Sequence, residues 1–219
     1  MDQYADLYAD AKRWLVEGWC DYFTPQLYWP IAQKPQSYPV LLKWWEDQNS
    51  KGRHLWPGNF TSRTDPNGGN WKPREVVDQI AVTRKLGAGG NVHFSMKAFS
   101  KNWNGITDAL RGGPYAEPAL TPPSPWLDDK RPEPPVVEVL GGTLYWRSQS
   151  EEPVRWWAVQ RRYGRKWVTE VLPGGKSELA TSDTLPSGER LEQVAVSAVD
   201  RLGNASILSY WNRPPGAGR

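Results

Sequence analysis

The chain is 219 residues long, enough for two modest domains with separate cores, and only 38% of it is hydrophobic. A net charge of +3 without a Lys/Arg-rich block argues against nucleic acid as a partner. The single cysteine excludes an intramolecular disulfide and any CxxC metal site, and no apolar run is long enough to span a membrane.

Fourteen Trp and nine Tyr supply large apolar areas per side chain, most of them for cores and some for stacking on sugar faces. In chain order, Tyr4, Leu7, Tyr8, Ala11 and Leu15 recur at helical spacing, and Gly18 follows as a terminator. Cys20 is expected to be a buried thiol, because no histidine stands near it to activate it. Asp21–Trp29 reads as an apolar, aromatic strand that ends in Gln26, Tyr28 and Trp29, residues suited to a sugar-sized cleft. A helix over Tyr38–Asn49 follows, then a short strand over His54–Phe60 and a polar, Gly-rich loop from Thr61 to Lys72. Pro73 opens a third helix whose apolar face is Val76, Val77, Ile80, Ala81 and Leu86, ending at Gly87.

Asn91–Ala98 reads as a third strand, with a weaker helix around Asn104–Arg111. Strands separated by helices of this length form parallel sheets, so residues 1–127 read as three βα units, part of a barrel. The alternation in the third strand places Val92, Phe94 and Met96 against the helices. It turns Asn91, His93, Ser95 and Lys97 toward the barrel interior and its carboxyl-terminal mouth. In the first strand Thr24, Gln26 and Tyr28 alternate in the same way with Phe23, Pro25 and Leu27.

Proline is dense from Glu117 to Pro135, and residues 128–135 are expected to be a stiff linker. Beyond it the period falls to two. Val136–Val139, Thr143–Trp146, Trp156–Arg162, Lys166–Leu172, Glu178–Ala180, Leu191–Asp200 and Ala205–Tyr210 are short strands between Gly, Ser and Pro turns. Together, residues 136–213 have the profile of an immunoglobulin-like β-sandwich, and 214–219 that of a disordered tail. The fold class expected is therefore α/β followed by all-β.

The run Asp21-Tyr-x-x-Pro-Gln-x-Tyr-Trp29 resembles glycosyl-hydrolase-like family 10, a group of bacterial proteins. Trp44-Trp45, Trp71-x-Pro-x-Glu75 with Arg84, Phe94-Ser95, Tyr115-x-x-Pro-Ala-Leu120 and Pro125-Trp126-Leu127 extend the likeness in order. The later module resembles a fibronectin type III domain, with Trp146 as its early-strand tryptophan and Ala198-Val-Asp-Arg-x-Gly-Asn204 in its final hairpin. The resemblance implies a (βα)8 glycoside hydrolase of the cell envelope, secreted, acting on glycan strands such as peptidoglycan without stem peptides. It also implies that this chain carries the last strands of the barrel. An amino-terminal half, and any secretion signal with it, would then be missing.

Glycoside hydrolysis usually needs two carboxyl groups about 5–9.5 Å apart. None stands at the strand tips. Asp21 lies at the wrong end of its strand, Asp65 sits in a Pro66-Asn67-Gly68-Gly69 turn, and Glu75 suits the first turn of a helix. The catalytic pair is therefore expected outside this sequence, leaving the chain inactive alone. No metal or other cofactor is called for. The candidate substrate-binding residues are Gln26, Tyr28, Trp29, Asn59, His93, Ser95 and Lys97. A non-catalytic glycan-binding protein is the alternative.

Overall fold

The computed structural model describes residues 3–215, and contacts divide the chain into two compact units between Ala116 and Glu117. The first helical run is two helices, α1 (Gln3–Leu7) and α2 (Ala11–Val16), because Tyr8 takes a left-handed backbone (φ 51°). The Asp10 carboxylate restarts the helix by accepting the Arg13 amide at 3.1 Å. Gly18 (φ 69°) supplies the left-handed turn that ends α2.

Four parallel strand segments follow in sequence order. β1 (Tyr22–Phe23) pairs with β2 (His54–Leu55), and a bridge from Gln26 to Gly58 continues the contact into β3 (Gly58–Asn59). β3 in turn pairs with β4 (Val92–His93). Pro25 and Pro57 bring no amide proton to the ladder, which accounts for its short pieces.

Helices α3 (Tyr38–Gln48) and α4 (Pro73–Lys85) make the crossovers, each with proline in its first turn. Leu27, Tyr38, Leu42 and Leu55 form one core under α3, joined by Phe23 and Trp45. Val76 and Ile80 of α4 form another with Ala98, Ile106 and Leu110.

The third strand departs from expectation. It ends at His93, and Met96–Ser100 is a helix, α5, followed by α6 (Ile106–Arg111). Its helix-forming residues bury Ala98 completely, so tertiary packing overrides the two-residue alternation.

The faces of that strand are also reversed. The Asn91 amide donates to Asn59 Oδ1 (2.8 Å), Thr83 Oγ1 (3.0 Å) and Tyr38 OH (3.2 Å), the last two on the helices. His93 turns the same way, whereas Val92, Phe94 and Met96 are 42, 52 and 75% exposed. Alternation distinguishes two faces without saying which is covered. A polar row can lie beneath helices when they supply its hydrogen-bond partners.

The second unit has two antiparallel sheets. β5 (Val136–Leu140), β6 (Thr143–Arg147) and β9 (Glu178–Ala180) form one, in the order β5-β6-β9. β7 (Trp156–Tyr163), β8 (Lys166–Pro173), β10 (Leu191–Val199) and β11 (Ser209–Asn212) form the other, in the order β11-β10-β7-β8. Leu144 and Trp146 from the first sheet share a core with Trp157, Val159, Val194 and Val196 from the second. Both indole nitrogens find carbonyls at 3.0 Å, Trp146 on Lys176 and Trp157 on Gly174.

The last strand begins at Ser209 rather than Ala205, whose only ladder contact is a bridge to Val199. The proline-rich stretch, expected to complete the first unit and link it to the second, is tied to the second. The Ser124 amide donates to Leu202 O (3.1 Å), Asn204 Nδ2 to Asp128 O (3.0 Å) and Gln149 Nε2 to Pro134 O (2.7 Å). Of the expected tail, residues 216–219 lie outside the described residues.

Candidate functional site

Parallel strands in register bring equivalent positions to the same level, and here an aromatic residue stands at each carboxyl end: Tyr28 two residues past the Gln26 bridge, Phe60 directly after β3 and Phe94 directly after β4. Tyr28, Phe60 and Phe94 meet as a cluster, with ring centroids 4.8 Å apart for Tyr28–Phe60, 5.9 Å for Phe60–Phe94 and 6.0 Å for Tyr28–Phe94. Partial burial raises the Tyr28 phenol above its ordinary pKa, so it is a hydroxyl donor at neutral pH. Lower on the same open face, Trp56 stacks between Tyr22 and His54, at 5.1 Å from each.

Beside the upper cluster lies a cleft of about 260 Å³ lined by Tyr28, Trp29, Gln33, Arg63, Asn70 and Trp71. Its two walls are fastened by different devices. The strand-tip wall is clasped by α4, where Glu75 Oε1 accepts the Ile31 amide (2.7 Å) and Gln79 Nε2 donates to the Trp29 carbonyl (3.2 Å). The other wall is the Gly-rich loop, which is folded on itself. Asp65 Oδ1 accepts the Asn67 amide, the Gly69 amide reaches Asp65 O (2.8 Å) and the Trp71 amide reaches Arg63 O (3.0 Å).

A Cβ on Gly69 would stand 1.9 Å from the Arg63 carbonyl oxygen. Gly69→Ala must therefore displace the loop, since backbone atoms cannot yield that distance. The expected result is loss of the Trp71–Arg63 closure and a cleft that binds ligand at least about tenfold more weakly. Titration of the variant checks this, with near-UV circular dichroism reporting the tryptophan environment.

The structure sorts the predicted residues into groups. Tyr28 and Trp29 share the cleft. Gln26 is exposed and lines a neighbouring groove of about 480 Å³ along the outer edge of β1, with Thr24, Leu41 and Trp45. Asn59 is 0% exposed and lies under the helices, its amide donating to Gln79 Oε1 (2.8 Å) and Tyr38 OH (3.3 Å).

His93 is held between Thr61 Oγ1 at Nδ1 and Tyr115 OH at Nε2, both at 2.8 Å, with the Phe99 ring edge-on at 5.3 Å. Burial pushes its pKa down to about 4 and that of Tyr115 up to about 12, so both are neutral near pH 7. Ser95 is tied to Ser62, its amide donating to Ser62 Oγ at 3.0 Å. Lys97 lies on α5 with its ammonium 5.6 Å from the Trp103 ring.

Gln26, Asn59, His93, Ser95 and Lys97 thus belong to other surroundings than the cleft, whereas Phe60, Arg63, Asn70, Trp71 and Phe94 join the site. The aromatic that recurs after each strand was the signal available for Phe60 and Phe94. No carboxylate lines the cleft among the described residues. Cys20 is half-buried rather than buried, its thiol facing the Trp14 carbonyl at 3.9 Å and raised in pKa by burial.

No family model matches the chain. It is 34% identical over 221 residues to glycosyl hydrolase YngK of Bacillus subtilis, an alignment that covers 94% of this chain and 43% of YngK. It is also 48% identical over 44 residues to glycosyl hydrolase DigH of Escherichia coli K12, covering 20% of this chain and 10% of DigH. The spore cortex lytic enzyme SleM of Clostridium perfringens aligns in structure over 80% of this chain and 74% of that one. At 12% identity and a TM-score of 0.28, that likeness carries no argument. By sequence the chain is a homologue of glycosyl hydrolases, and it spans less than half the length of YngK.

Proposed function

We propose that this chain is the carboxyl-terminal part of a bacterial cell-envelope glycoside hydrolase, periplasmic or at the cell surface. In this reading it comprises the last three βα units of a (βα)8 barrel and a fibronectin type III-like sandwich. Its substrate is a glycan strand, peptidoglycan lacking stem peptides in particular. The catalytic carboxylates lie in the amino-terminal half of the barrel, outside this sequence.

One observation carries the reading. Two consecutive parallel crossovers deliver Tyr28, Phe60 and Phe94 to the carboxyl ends of their strands, in a chain homologous to YngK over 94% of its length. Carboxyl-terminal strand ends are where barrel enzymes place their sites, and aromatic faces stack on sugar rings. The exposed apolar face of Tyr22, Val92 and Phe94 also supports it, because parallel sheets are ordinarily covered on both sides.

The absence of a carboxylate from the cleft favours a second reading for the chain by itself, that of a non-catalytic glycan binder. The test is release of reducing ends from stem-peptide-free glycan strands. The 219-residue chain is expected to release none, and a protein extended at its amino terminus to complete the barrel to release them steadily. Turnover by the short chain would refute the placement of the carboxylates. Binding without turnover by the extended protein would favour the second reading.

A further inference from the structure

From the chemistry of the cleft, and resting on the glycan-binding reading above, we infer that it takes a sugar bearing a free carboxylate, with Arg63 as the group that receives it. Arg63 is the one charged side chain among the cleft-lining residues described. Its guanidinium lies over the Phe60 ring, 5.2 Å from the centroid. Among the described residues no carboxylate stands within ion-pair distance of it.

The acidic groups nearest in sequence are engaged elsewhere. Asp65 Oδ1 takes the Asn67 amide, and Glu75 Oε1 takes the Ile31 amide and the Gln79 side chain. Both main-chain groups of Arg63 are also fixed, its amide on Phe60 O and its carbonyl on the Trp71 amide, each at 3.0 Å. The backbone at Arg63 is therefore set before any ligand arrives, and its exposed side chain rests against the Phe60 ring.

A planar guanidinium fork matches a carboxylate in two parallel hydrogen bonds. Around it, Tyr28, Trp29 and Trp71 offer ring faces for the sugar, and Gln33 and Asn70 offer amides for hydroxyl or acetamido groups. A neutral sugar would use the rings and amides and leave the guanidinium unused.

Two glycans present this chemistry, a strand whose lactyl ethers are freed of peptide and a hexuronate oligosaccharide. The experiment titrates the 219-residue chain with each, and with each after reduction of its carboxylates to alcohols, following tryptophan fluorescence. We expect the acidic form of at least one glycan to bind about tenfold or more tightly than its reduced form. Whichever acidic glycan binds identifies the source, and binding of both means that the carboxylate alone is read. Arg63→Met should erase the preference by weakening only the acidic form, and Arg63→Lys should restore part of it. Equal affinity for acidic and reduced forms, or a preference that survives in Arg63→Met, overturns the inference and leaves the glycan reading standing. Failure of every glycan to bind overturns both.

Discussion

Replacing Asn59 with leucine is expected to destabilise the first unit by about 3 kcal/mol, through polar groups left without partners beneath α3 and α4. Asn59 is the hub of a buried network. It donates to Gln79 Oε1 and Tyr38 OH and accepts from Asn91, while Tyr38 OH lies 2.7 Å from Thr83 Oγ1. Asn59, Tyr38, Gln79 and Thr83 are all fully buried, so water cannot replace a lost partner. Leucine keeps the volume but strands the Gln79 carbonyl oxygen and takes an acceptor from Asn91. Urea unfolding measures the loss, with Gln26→Leu at the exposed strand tip as the control, expected within about 0.5 kcal/mol of the parent. A cost below about 1 kcal/mol for Asn59→Leu would mean that Asn59 faces the open side of the sheet after all.

Acidification is expected to weaken the first unit through His93. Its pKa is held down to about 4 in the folded chain, against about 6.5 in an unfolded one. As pH falls below about 6.5 the unfolded state takes up the proton first, so stability declines and continues to decline until about pH 4. Above pH 6.5 this contribution is fully present. The difference between the two values corresponds to about 3 kcal/mol across that window. Carboxylates and His54, which burial also lowers, add slopes of their own. The informative quantity is therefore the parent minus His93→Gln at pH 7.5, 6.5, 5.5 and 4. That difference should shrink steadily below pH 6.5. A constant difference, or a His93 proton titrating near pH 6.5 by NMR, would contradict the burial described. A histidine with so low a pKa is also poorly matched to acid–base work near neutrality.

What the sequence made legible follows from how local each signal is. Pro39 and Pro73 mark the openings of α3 and α4, and Gly18 the end of α2, because capping depends on a few adjacent residues. The period-two run of the second unit likewise reads directly as strands, apart from the shift of its last strand to Ser209.

The face that each strand buries was not legible. In the first strand apolar Phe23 and Leu27 pack under the helices, as alternation suggests. In the third, Asn91 and His93 take that side because Tyr38, Thr83 and Tyr115 wait there with hydroxyls, each more than seven residues away in sequence. The run Met96–Ser100 became helix to bury Ala98, a tertiary demand. The place of Arg63 and Trp71 in the cleft escaped notice for a related reason. They meet the strand tip only because Gly69 lets the intervening loop close on itself.

The apolar face beside Val92 is central to this account, which has it covered by further βα units of a larger barrel. Labelling of a cysteine at that position, Val92→Cys in a Cys20→Ser background, reads the cover directly. The side chain is 42% exposed in the 219-residue chain, so a thiol reagent should modify it within minutes. In a protein extended at its amino terminus to complete the barrel, the same thiol should be protected at least about a hundredfold, as expected for a closed interior. Equal labelling in the two proteins would contradict the barrel, and with it the placing of the glycan cleft at its mouth.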